Sequence, residues 1–393
     1  MSLRKLTLAV LTRLALVAFS TLLVLVPAEL FCRTQVRLQP PMAESDPVTI
    51  YRLRPNLEAR DRSPGDFSVV YHTNSRGFRG PEVRDPRDGE VLRVLGVGDS
   101  FTFGIGVEDD ETYLRRLEAE LRASPVLDDL AVAEIEVVNA GTAGWGTGHA
   151  LAFLEDRGWD LEPDLLVLGF FANDPLDDRS AGLFRVEDGT LVRPPRGTTE
   201  DYFPERQVLK RLPFYETLAH NSALLALVRT QYMNWRVRQR ESPATPSAPR
   251  VSIENPPLEL TRYLLREIGR QADERGIPWV VLLIPRPWTA DTEPAEVLAR
   301  YEAHRLLCAE EGVSCLDATS GLLEAGVAPE ELYYQNHDHH WTPTPHRLAA
   351  ESLARWIEDR LSNVDTAPTE AGLVSADYAA GDPSGPAVEE AAR

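Results

Sequence analysis

The chain has 393 residues, 43% of them hydrophobic and 26% charged, which is enough for one large folded domain with additions at its ends. Its 61 acidic side chains outnumber 41 basic ones, and the formal net charge of −20 argues against nucleic acid or any other polyanion as its partner.

From Leu14 to Val26 there is no charge, and the apolar character reaches back to Leu6 around a single interruption at Arg13. Arg4, Lys5 and Arg13 precede this run, so residues 1–33 read as a cytoplasmic tip and a transmembrane signal anchor, with everything after them outside the cytoplasm. The uncharged core is a little short for a span of about 20 residues, a length that snorkelling by Arg13 extends. A cleaved signal peptide is the alternative; no clear A-x-A site follows, and Phe31 directly before Cys32 suits a lipoprotein site poorly. Residues 34–90 read as an extension that packs onto the domain that follows.

The body alternates strand-like and helix-like runs. Leu92–Val97, Ile135–Asn139, Leu165–Phe171, Trp279–Ile284 and Val313–Leu316 read as strands. Between and after them, Glu111–Ser124, Gly148–Arg157, Leu258–Glu274, Ala295–Glu310 and Pro345–Leu361 read as helices. This rhythm predicts an α/β fold over residues 91–361: a three-layer, doubly wound parallel sheet. Residues 177–257 interrupt it as an insertion or cap, with a hairpin turning at Asp188-Gly189, a long helix over Phe214–Trp235 and a proline-marked linker over Glu241–Arg250. Residues 362–393, rich in Ala, Gly, Pro and acid without periodicity, read as a disordered tail.

Chemistry gathers at strand ends. Ser100 follows the first strand of the body within Gly98-Asp99-Ser100-Phe101, and Asp338 stands two places before His340. A serine hydroxyl is a poor nucleophile at neutral pH unless a base takes its proton and a third group orients that base, roles that His340 and Asp338 can fill. No G-x-S-x-G elbow occurs, which sets the α/β-hydrolase arrangement aside. Gly144 and Asn173 also follow predicted strands, and open α/β sheets bind ligands in the crevice at those ends.

The blocks Val97–Gly104, Val138–Gly144, Gly169–Asp174 and Asp338-His339-His340-Trp341, in this order over about 240 residues, resemble the SGNH, or GDSL, hydrolase superfamily. The resemblance implies a flavodoxin-like sheet, a Ser100-His340-Asp338 triad, and an oxyanion hole made by the backbone N–H of Ser100, the backbone N–H of Gly144 and the side-chain amide of Asn173. It implies a serine esterase acting on O-acyl groups, with acetyl on an envelope polysaccharide as the expected substrate; an O-acyltransferase using the same residues and a silent scaffolding domain are the rivals. The stretch Thr73-Asn74-Ser75-Arg76-Gly77-Phe78-Arg79-Gly80 is similar to one common upstream of the serine block in membrane-anchored members, and its residues suggest no mechanistic role.

Blander readings stand beside these. Ser100 also suits a helix N-cap, and Asp99 reads as the residue that organises its loop. His337-Asp338-His339-His340 invites a metal, but no further Cys or Glu spacing supports one, so neither metal nor cofactor is expected. Trp145, Trp288 and Trp341 could stack on a sugar ring or simply be buried. Cys308 and Cys315 are compatible with a disulfide and with two buried thiols alike. The expected partners are thus a small acyl ester or an acylated polysaccharide, and the membrane through the first helix.

Overall fold

The computed structural model describes residues 3–35, 40–85, 91–125, 134–194, 215, 218, 221–240, 258–336 and 338–362. The tail, the proline-marked linker and His337 lie outside them.

Five strands form one wholly parallel sheet: β5 (Val91–Val97), β6 (Glu134–Asn139), β7 (Leu165–Phe171), β10 (Trp279–Ile284) and β11 (Cys315–Asp317). Their order in space is β11-β10-β7-β5-β6. Numbered by appearance within the sheet this is 2-1-3-4-5, the flavodoxin-like order whose direction of winding reverses beside the first strand. The strands are nearly continuous apolar runs because both faces are covered. Alternate residues of β10 show why: Val281 and Leu283 enter one core, Val280, Leu282 and Ile284 the other. Over the first face lie α4 (Thr147–Phe153), α7 (Glu259–Glu274) and α9 (Glu302–Glu311); over the second lie α3 (Tyr113–Ala123), α10 (Ala318–Glu324) and α12 (Pro343–Ser362). The fold is therefore α/β and three-layered, as the alternating pattern implies.

Several elements differ in detail from their expected bounds. The single helix expected over residues 295–310 is two, α8 (Pro294–Ala299) and α9, parted where Tyr301 turns its ring into the first core and Arg300 Nη1 donates to Pro287 O at 3.2 Å. The long helix of the insertion, α6, runs Ala223–Arg240, and the hairpin is β8 (Arg185–Glu187) with β9 (Thr190–Val192). Cys308 and Cys315 are joined in a disulfide between α9 and β11.

Helix α1 (Leu3–Gln35) continues through Pro27, where the apolar run was expected to give out. Its stretch Leu11–Thr34 is apolar and long enough to cross a membrane. A proline is tolerated there because its missing donor leaves only one carbonyl to be satisfied otherwise. Near its end, Glu29 caps α6 by accepting from Ser222 Oγ at 2.8 Å and from the N–H groups of Ala223 and Leu224, each at 3.0 Å.

Ahead of the sheet, two antiparallel pairs fold against it: β1 (Ala43–Asp46) with β2 (Ile50–Leu53), and β3 (Glu58–Ser63) with β4 (Phe67–His72). A small core of Met42, Leu53, Val69 and Tyr71 closes over Phe103 and Ile105, directly behind the loop that carries Ser100.

Candidate active site

Ser100 opens the one-turn helix α2 (Ser100–Phe103) straight after β5. Asp99 caps that turn, its carboxylate accepting from Phe101 N at 2.9 Å, and Gly104 ends it in the left-handed conformation with its N–H on Ser100 O at 3.0 Å. The turn is tight because Gly98 has φ +154°: a Cβ there would meet Thr102 Oγ1 at 2.3 Å and Gly169 O at 2.7 Å.

The relay is formed. His340 Nε2 lies 2.7 Å from Ser100 Oγ, and His340 Nδ1 lies 2.6 Å from Asp338 Oδ1. Asp338 also accepts from the backbone N–H of His340 at 2.8 Å, so one buried carboxylate fixes both the ring and its loop. With Nδ1–H donated to Asp338, Nε2 is left as the acceptor for the serine proton. The ring of Phe101 packs 4.8 Å from the imidazole and 4.4 Å from Phe171, a wall that limits imidazole rotation.

Gly144 follows β6 with φ +81°, and Asn173 follows β7 as the residue before α5 (Asp174–Ala181). Among the described residues, neither the N–H of Ser100 nor that of Gly144 is engaged in a hydrogen bond. Asn173 Nδ2 donates one hydrogen to Asp177 Oδ2 at 2.7 Å, which leaves its second hydrogen available. Asp177, one helical turn on, therefore orients the amide; the Asn-to-Asp spacing of four residues was its only sequence signal. The three expected donors and the relay thus come from the loops after β5, β6 and β7 and from the loop before α12.

The surroundings are acidic, and Asp99, Asp174 and Asp178 are buried. Burial pushes Asp99 up to about 6 and Asp178 up to about 8, and burial with the charge of Asp99 pushes Asp177 up to about 7. Asp174, buried beside them, is raised well above the ordinary carboxylate range by burial first and by the charges of Asp99 and Asp178 next. Asp178 accepts from Gly148 N at 2.7 Å and Asp174 from Thr147 Oγ1 at 3.2 Å, so both tie α5 to the start of α4.

The Thr73–Gly80 stretch acquires a task here. Arg79 is buried, and its guanidinium donates to Phe103 O at 2.6 Å, Gly104 O at 2.5 Å and Val107 O at 2.6 Å while pairing with Asp109 at 2.9 Å. It clamps the chain just after Ser100. On the opposite side Asn336 donates to Gly65 O at 2.9 Å and Tyr334 packs on Phe67, holding the loop that leads to His340.

The tryptophans are not a sugar platform. Trp145, Trp288 and Trp341 are all buried, Trp341 completely, and serve as core. His339 is exposed, and among the described residues no three His, Cys, Asp or Glu side chains gather as a metal site.

A family model described as "SGNH hydrolase-like domain, acetyltransferase AlgX" matches residues 247–382, the part that carries Asp338 and His340. None of the curated proteins compared matches the sequence. Solved structures similar to the chain include a protein of the G-D-S-L family from Desulfitobacterium hafniense DCB-2, with 14% identity, TM-score 0.36, and coverage of 67% of this chain and 98% of that one. LAE5, an alpha/beta hydrolase enzyme from the metagenome of Lake Arreo, Spain, shows 13% identity, TM-score 0.38, and coverage of 67% and 94%. Axe2, an acetylxylan esterase from Geobacillus stearothermophilus, shows 14% identity, TM-score 0.38, and coverage of 69% and 94%. Over its C-terminal third the chain is thus similar to an SGNH hydrolase-like domain, and its serine, glycine and asparagine loops open at one edge of a 2-1-3-4-5 sheet.

Proposed function

We propose that the chain is an exported, membrane-anchored serine esterase that removes O-acyl groups, acetyl first among them, from a carbohydrate. The hydrogen-bonded line Ser100–His340–Asp338 carries this reading. Ser100 Oγ attacks the acyl carbonyl carbon as His340 Nε2 takes its proton, and the charge that develops on the carbonyl oxygen meets the N–H groups of Ser100 and Gly144 and the free amide hydrogen of Asn173. Collapse of that intermediate breaks the bond to the sugar oxygen, which leaves with the proton from His340. A water then repeats the sequence on the Ser100 ester: its oxygen bonds to the acyl carbon, its proton passes through His340 to Ser100 Oγ, and a free acid departs.

Export is supported by the apolar stretch Leu11–Thr34, by the basic residues before it and by the Cys308–Cys315 disulfide, a bond that persists in oxidising compartments. The matched family model names an acetyltransferase, which favours one second reading: a sugar hydroxyl replaces water as the acceptor. Incubating the purified protein with an acetylated oligosaccharide and an unacetylated one separates the two. Free acetate as the sole product supports the esterase; acetyl moving onto the second oligosaccharide without acetate release supports transfer, and neither product from any acyl donor contradicts both.

A further inference from the structure

Tyr51 stands on β2, ahead of the sheet, yet its side chain ends at the glycine loop of the site. A Cβ built on Gly144 would lie 2.7 Å from the Tyr51 hydroxyl oxygen, so the phenol occupies the space that the glycine leaves open. The rest of the residue is fastened. Its strand pairs with β1 through Ser45, its carbonyl accepts from Trp145 Nε1 and from Thr49 Oγ1, each at 3.1 Å, and its ring lies 5.8 Å from that of His149. The hydroxyl makes no hydrogen bond to any described residue. Burial, helped by the charges of Asp177 and Asp99, raises the phenol well above its ordinary range, so it remains a proton donor at every working pH.

A fastened ring with a free donor beside Gly144 is what a substrate contact requires. Tyr51 is half-buried, and its hydroxyl is not among the enclosed polar atoms, so the donor faces the open side of the site rather than the protein interior. We propose that Tyr51 is a further substrate-contacting residue, its phenol O–H donating to the carbonyl oxygen of the acyl group held against Gly144, so that the segment before the sheet completes the site. This rests on the reading of Ser100 as the acyl-accepting nucleophile.

The test uses the full-length protein in detergent and the variant Tyr51→Phe, which keeps the ring and removes only the donor. Two rates are read, turnover of p-nitrophenyl acetate and covalent labelling of Ser100 by a fluorophosphonate, together with the unfolding temperature. The expected result is a fall of roughly 10- to 100-fold in kcat and in labelling rate, with KM within about threefold and the unfolding temperature unchanged. If the wild type labels at Ser100 and Tyr51→Phe stays within about twofold in kcat and labelling rate, the Tyr51 proposal is overturned while the serine reading stands. If the wild type neither labels nor turns over, the serine reading fails and takes this proposal with it.

Discussion

At the scale of single residues the site depends on what orients each donor. Asn173 has one amide hydrogen held by Asp177 and one left over, so Asp177 orients the amide that the proposed oxyanion hole would use. Asn173→Ala is expected to lower kcat by about 100- to 1,000-fold on a small ester with little change in KM or in unfolding temperature; steady-state kinetics alongside a thermal melt check both halves. A loss of less than about fivefold would remove Asn173 from the oxyanion hole. The residues named from sequence, Ser100, Gly144, Asn173, Asp338 and His340, were legible because each sits in a short block beside a strand end. Asp177, Arg79 and Tyr51 were not. Their parts are set by carbonyls and amides that approach only after folding, and nothing in local composition records where Phe103 O or the glycine loop will lie.

Among the elements, those of the parallel sheet were the most readable, because a strand covered on both faces must be apolar throughout and Leu165–Phe171 or Trp279–Ile284 has few other uses. The break between α8 and α9 escaped the helical periodicity, which continues across it while Tyr301 is drawn into the core. The two antiparallel pairs ahead of the sheet escaped for another reason: their short strands are defined by partners rather than by pattern. Arg79, which follows the second pair, instead reaches the chain after α2. Its charge is buried against three carbonyls and one carboxylate, so Arg79→Met strands those acceptors and is expected to cost roughly 3–5 kcal/mol of stability by urea denaturation. Activity should decline with it, because the chain after α2 loses its clamp. A cost below about 1 kcal/mol would mean that water replaces the guanidinium and that the clamp is not structural.

For the molecule as a whole, the raised carboxylates beside the site set how stability depends on pH. Asp177 and Asp178 lie near 7 and 8 in the folded protein and near 4 once unfolded, so between those limits the native state binds more protons than the unfolded chain. Stability is therefore fully supported below about pH 4 by these groups and falls as pH rises towards 8, each contributing a slope of up to about 1.4 kcal/mol per pH unit. Denaturation midpoints should decline from pH 5 to pH 8. Asp178→Asn keeps the acceptor for Gly148 N and is expected to flatten that decline. A midpoint that rises over the same range in the wild type, or a variant with the wild-type slope, would show these carboxylates to be ionised at no cost. Acidity and burial near the site thus follow from the same packing that closes α5 against α4.

The central claim is that Ser100 is a nucleophile activated by His340. Intact-mass analysis of the full-length protein after treatment with a fluorophosphonate tests it most directly. The account predicts one adduct, located by peptide mapping at Ser100, absent from Ser100→Ala and slowed by at least about 1,000-fold in His340→Ala. A wild-type protein that takes up no adduct, or a Ser100→Ala variant labelled as readily as the wild type, would contradict it.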